Sequence, residues 1–100
     1  MALKKRRDLS EDFLLLEIFG GRCPNPKCHR AWASTIHELE PRARGEQSMR
    51  RTNRTPICKE CHEEFHRKGA SEKNINAWKA IIEAYLKAIG NWERYVDTEN

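Results

Sequence analysis

Four cysteines and three histidines in this 100-residue chain have the residue types and spacing of metal ligands. The cysteines form two close pairs, Cys23-x4-Cys28 and Cys58-x2-Cys61. Zinc prefers four tetrahedral soft ligands, and a short loop between paired cysteines lets each pair supply two of them. In a reducing compartment a four-thiolate zinc site is favoured over the alternative, two disulfides. Because zinc binding releases roughly 10–16 kcal/mol in zinc-finger peptides, we expect the middle of the chain to need metal to fold.

A second group of ligands consists of His37, His62 and His66. His62 and His66 are four residues apart, so on a helix they share one face and can hold one metal ion together. The alternative is that the two histidines lie on a solvent-exposed helix face and bind no metal. His62 directly follows Cys61, which would anchor the start of that helix to the zinc site.

Hydrophobic periodicity and turn residues predict the elements that must position these ligands. The predicted elements are a helix over 11–19, strands over 33–39 and 53–58, and helices over 61–68 and 75–89. The last helix carries an apolar stripe that is expected to pack on the rest of the domain, with a partner or dimer interface as the alternative. The stripe consists of Ile75, Trp78, Ile81, Ile82, Tyr85, Leu86 and Ile89. Outside this helix, Trp32 is predicted to pack in the core.

Length and composition limit the fold and the partners. One hundred residues allow a single small domain, which we divide into an N-terminal part (1–21), a zinc-stapled core (22–68) and a helical extension (69–100). The longest apolar run has only four residues, which excludes a membrane-spanning segment, and we predict a cytoplasmic protein with no membrane partner. The core carries eleven Lys and Arg against six Asp and Glu. This basic centre favours nucleic acid as a partner, with a solubilising surface as the alternative.

The joint spacing of these residues resembles the HNH endonuclease family. The resemblance rests on the run from His37-Glu38 through Pro41 to Gly45, then Asn53, then Cys58-x2-Cys61-His62-x3-His66, and it covers about half of the chain. It implies an α+β fold with a ββα-metal core, in which the four cysteines hold a structural zinc. It also implies that His37, His62 and His66 hold a second divalent metal (Mg²⁺, Mn²⁺, Ni²⁺ or Zn²⁺) and that Asn53 ties the loop together and orients the base.

The chain departs from the family at the position of the general base. The residue after the first ligand is normally a histidine, and here it is Glu38; Gly45-Glu46 also replaces the more usual Gly-Gly. Free glutamate is a weaker base than free histidine by roughly two pKa units. Three roles are open for Glu38: a carboxylate base, an additional metal ligand, or a residue of a catalytically weakened site that only binds.

Five arginines would flank the strands that meet double-stranded DNA: Arg42, Arg44, Arg50, Arg51 and Arg54. The planar guanidinium group makes two parallel hydrogen bonds to a phosphate, and such contacts carry little sequence information. The first hypothesis is therefore a metal-dependent DNA endonuclease of low sequence specificity, similar to proteins of phages and mobile elements. The second is a zinc-stabilised DNA-binding or protein-binding module without turnover. The third is a subunit of a larger DNA-processing assembly that docks through its C-terminal helix.

Overall fold

The computed structural model describes residues 9–40 and 50–96, and within these ranges the fold is α+β, as predicted. Two short strands form an antiparallel sheet, and four α-helices surround it. The elements are α1 (Leu9–Phe19), β1 (Thr35–Glu38), β2 (Arg54–Ile57), α2 (Lys59–Lys68), α3 (Glu72–Ile89) and α4 (Trp92–Val96).

The sheet pairs the two strands that precede α2. His37 lies opposite Thr55, and Glu38 lies opposite Arg54. Both strands are shorter than predicted, since Asn53 belongs to a 3-10 turn before β2 and Cys58 caps the helix after it, which leaves four residues to pair with β1. The helix after β2 begins two residues earlier than predicted because the Cys58 side chain caps it, with its Sγ atom accepting a hydrogen bond from the Cys61 N–H.

The long helix α3 packs its apolar stripe against α1 and α2 within the same chain. Ile75, Trp78, Ile82 and Leu86 are buried, while Ile89 at the end of the stripe is exposed. Tyr85 donates a hydrogen bond from its hydroxyl to the Phe19 carbonyl at 2.7 Å, which satisfies an orphan acceptor at the end of α1. The stripe is therefore part of the core. No helix in the described ranges has the length and apolar character needed to cross a lipid bilayer.

One arginine joins three parts of the fold around the start of β2. The Arg51 guanidinium donates to both carboxylate oxygens of Glu11 on α1, at 3.1 and 2.9 Å, and to the Arg94 carbonyl on α4 at 3.2 Å. Arg54 is buried beside the same carboxylate and lies 3.6 Å from Asp12. These contacts hold the turn before β2, and so the position of Asn53, against the helices.

We expect Arg51→Gln to lower the free energy of unfolding of the metal-loaded protein by about 1–3 kcal/mol, because it removes a two-point hydrogen bond to a charged group. Urea denaturation followed by circular dichroism measures this change. Arg67→Gln, at an exposed position of α2, is the matched control and should change stability by no more than about 0.5 kcal/mol. Equal stability of the two variants would show that the tie between β2 and the helices contributes nothing.

Candidate metal centres

The two cysteine pairs converge on one point between the start of α2 and the loop that joins Cys23 to Cys28, which we call the first knuckle. All four Sγ atoms lie within 4.8 Å of one another, and the four thiols are free. Sulfur atoms that share one tetrahedral zinc at ~2.3 Å lie ~3.8 Å apart, so a small contraction brings this cluster to zinc geometry. Cys23, Cys58 and Cys61 are buried, and Cys28 is partly exposed. The cluster predicted from the spacing is therefore present, and it can hold a structural metal such as zinc.

The loop between Cys23 and Cys28 is shaped by a buried asparagine. The Asn25 side chain accepts a hydrogen bond from the Lys27 N–H at 3.0 Å and donates one to the Cys61 Sγ atom at 3.4 Å. A hydrogen-bond donor aimed at a sulfur favours the thiolate, the form that binds metal. The sequence analysis did not identify Asn25, although a polar residue between two prolines inside a metal knuckle was an available signal.

Burial of the cysteines opposes their ionisation in the absence of a cation. It raises the pKa of the Cys23 thiol to about 11, and burial together with the negative charge of Cys23 raises the pKa of Cys61. A bound divalent cation reverses this balance, because metal binding displaces the thiol protons. The chemistry of the donor set therefore fits zinc, whose charge would compensate the buried thiolates.

The three predicted histidines form a second cluster at the junction of β1 and α2. One ring nitrogen from each of His37, His62 and His66 can be chosen so that all three lie within 4.8 Å of one another. The Nε2 atoms of His62 and His66 are 3.1 Å apart, close to the ~3.4 Å expected for two nitrogens on one tetrahedral cation. Exposure rises across the cluster from buried His37 to exposed His66, so one side of it is open to solvent.

His37 is held in place with one nitrogen unsatisfied. Its ring packs against Phe65 on α2 at 4.4 Å between ring centroids, and its buried Nε2 atom has no hydrogen-bond partner among residues 9–40 and 50–96. Burial, reinforced by the nearby charges of His62 and His66, lowers the pKa of His37 to about 4 although Glu38 acts in the opposite direction. The imidazole is therefore neutral at pH 7, the form that ligates metal. Phe65, which the sequence analysis also missed, lies on α2 between the two other histidines.

The other two predicted catalytic residues lie at the ends of the strands, with Glu38 as the last residue of β1 and Asn53 directly before β2. Glu38 is half-buried and, with His37, His66 and Gly69, lines an open groove of about 250 Å³. Asn53 is buried, and its side chain makes two hydrogen bonds with the backbone of Glu40, one in each direction. Asn53 therefore fastens the chain just after β1 to the turn before β2. Its predicted effect on the orientation of a general base stays a prediction.

The five predicted DNA-binding arginines fall into three groups. Arg42 and Arg44 lie outside the described residues, as does the rest of the predicted basic loop from 41 to 49. Arg50 is exposed at the start of the following turn. Arg51 and Arg54 are largely buried against Glu11 and Asp12, so a phosphate contact by either of them requires breaking these ion pairs. The structural role of these two was not foreseen from the sequence.

We expect Asn25→Asp to lower zinc affinity about 10–100-fold. The substitution keeps the oxygen that accepts from Lys27 but replaces the donor to Cys61 with a second acceptor. Competition with a chromophoric zinc chelator measures the affinity, after elemental analysis has established the zinc content per chain. Asn76→Asp, the same change at an exposed position of α3, should bind zinc as the wild type does. Unchanged affinity in Asn25→Asp would show that the hydrogen bond to the sulfur has no role in metal binding.

Comparisons of the chain with models of protein families, with curated proteins and with solved structures give no match. The functional conclusion therefore depends on the geometry of the two clusters and on the order of the elements that carry them.

Proposed function

We propose that the chain is a metal-dependent DNA endonuclease of the HNH type that cuts with little sequence preference. The observation that carries this proposal is the buried, unsatisfied Nε2 atom of His37, which lies beside His62 and His66 at the edge of an open groove. The order of elements supports it, because the first ligand lies on β1 and the other two lie on α2, directly after β2. Such an order is compatible with the ββα-metal core that the resemblance implies.

Each residue of the site has a role in this proposal. His37, His62 and His66 hold a divalent cation, and Asn53 fixes the connection between the strands. When bound, such a cation supplies charge neutralisation for the phosphodiester and stabilisation of the departing 3′ oxygen. Glu38, which lines the same groove, accepts the proton of the attacking water. The cysteine cluster has no part in the chemistry and keeps α2 in position.

Turnover is tested by incubating zinc-loaded protein with supercoiled plasmid and Mg²⁺, Mn²⁺, Ni²⁺ or Zn²⁺. We expect nicking by the wild type and at least ~100-fold slower nicking by His62→Ala, which loses one of three ligands. His29→Asn is the matched control, because His29 is exposed, lies outside the cluster and has a positive φ that asparagine tolerates. Nicking that persists undiminished in His62→Ala would reveal a contaminating nuclease and remove the proposal.

The role of Glu38 is tested by two substitutions of opposite effect. General-base assistance contributes about 10²–10⁴ in rate. We therefore expect Glu38→Gln, which cannot accept a proton, to lose nicking by about this factor, while Glu38→His retains or raises it. Rates are measured under single-turnover conditions with each variant's metal content verified. Equal rates for Glu38→Gln and the wild type would exclude Glu38 as the base.

A second function, a zinc-stabilised DNA-binding module without turnover, is favoured by the surroundings of Glu38. In the sheet register Glu38 lies opposite Arg54, whose guanidinium also meets the carboxylates of Glu11 and Asp12 on α1. A carboxylate next to a buried arginine is suited to a structural role. For this module we expect DNA affinity that falls steeply with salt and survives His62→Ala, with no nicking under any metal.

A further inference from the structure

An exposed aromatic ring marks a surface on the first zinc knuckle that the nuclease proposal does not use. Trp32, predicted to be in the core, is 66% exposed. The Arg22 guanidinium stacks on its ring at 3.9 Å from the ring centroid. Gly21 lies against one edge of the ring, where a Cβ atom would come within 3.3 Å of it. A tryptophan that its neighbours hold in place while most of its side chain is exposed to solvent offers an aromatic surface to a planar ligand.

The backbone around the ring is fixed by the knuckle itself. Arg22 and Trp32 are paired across an isolated antiparallel bridge. On either side of this pair, the Cys23 N–H donates to the Ala31 carbonyl at 2.8 Å and the Ala33 N–H donates to the Gly21 carbonyl at 2.9 Å. These bonds close the loop that contains Cys23 and Cys28, so a metal bound by the cysteines would also restrain the surface formed by Arg22 and Trp32, which we call the platform.

Charge identifies the chemistry of the ligand. Between Gly21 and His37 the chain contains Arg22, Lys27 and Arg30 and no Asp or Glu. Lys27 shares a groove with Glu60 and Glu64 of α2, and the Arg30 guanidinium lies over the Tyr85 ring at 4.9 Å. Arg22 is therefore the cation that accompanies the exposed ring. Arg22 covers one face of the ring and donates a hydrogen bond to the Arg30 carbonyl at 3.2 Å, while most of the Trp32 side chain stays exposed. A cation on an otherwise exposed aromatic ring favours a base with its phosphate, since stacking on aromatic rings is how proteins hold unpaired bases.

We propose that the platform of Arg22 and Trp32 binds an unpaired base of single-stranded nucleic acid, with Arg22 contacting the adjoining phosphate. Bases inside an intact duplex are stacked on one another and cannot reach such a ring. Trp32 and His37 are five residues apart, so their Cα atoms are separated by at most ~17 Å, the span of about five nucleotides. This inference rests on the proposed nuclease function. Under that function, the spacing identifies the substrate as DNA with a single-stranded stretch close to the cleaved bond.

Binding is tested by fluorescence anisotropy with the zinc-loaded full chain, using labelled oligo-dT, oligo-U and a duplex of the same length. We expect Trp32→Ala to weaken binding of the single strands about 10-fold and Trp32→Phe to retain most of the affinity. Arg22→Gln should reduce the dependence of log Kd on log salt by about 0.7, the value for one phosphate contact on a single strand. The two single strands distinguish DNA from RNA as the source of the base.

Matched controls are available on α1 and α3. Phe13→Ala removes an aromatic residue that is 68% exposed on α1, and Lys73→Gln removes an exposed cation on α3; both should bind as the wild type does. Wild-type affinity in Trp32→Ala, or an equal loss on single strands and duplex, would overturn the inference. Nicking that persists while the Trp32 effect is absent contradicts only this inference, whereas base stacking without any nicking contradicts only the nuclease.

Discussion

The geometry of the cysteine cluster and of the histidine cluster depends on the first turn of α2. Cys58 caps the helix, Cys61 lies in its first turn, and His62 follows immediately. If the two cysteines share a metal with the knuckle, the direction of the first helical turn is fixed, and the positions of His62 and His66 follow from the helical repeat. A metal in the cysteine cluster would therefore help to set the geometry of the histidine cluster.

The remaining packing brings β1 and β2 to this helix. Arg51 ties the turn before β2 to α1 and α4, and Tyr95 on α4 donates a hydrogen bond to the Arg54 carbonyl at 2.8 Å. Asn53 then links the same turn to the residue after the end of β1. These hydrogen bonds and ion pairs to α1 and α4 position the two strands, and with them His37, next to α2. The ring of His37 is then oriented by its packing against Phe65. In a sheet of two four-residue strands, such ties replace the rigidity that a larger sheet would provide.

Sequence could predict the parts of this structure whose chemistry is local or metal-directed. Paired cysteines and an i,i+4 histidine pair predict their own convergence because their spacing suits ligands of one shared ion, and the stripe of α3 follows from a period of 3.6 residues. The structure differs from the sequence-based expectation at Trp32, which is exposed, and at Arg51 and Arg54, which are largely buried. An apolar ring is usually buried and an arginine usually exposed, and here tertiary partners decided otherwise: Arg22 keeps the ring at the surface, and Glu11 draws Arg51 inward.

The proposed chemistry and the proposed nucleic-acid binding would lie at opposite ends of a short segment in this fold. The histidine cluster lies where β1 meets α2, whereas the platform of Arg22 and Trp32 belongs to the knuckle before β1. Under the proposed function, glutamate at position 38 would affect the proposed chemistry and leave the Arg22 and Trp32 surface unchanged. Under both proposals the scaffold would bind nucleic acid with or without cutting it, because neither the cysteine cluster nor the arginine beside Trp32 involves residue 38.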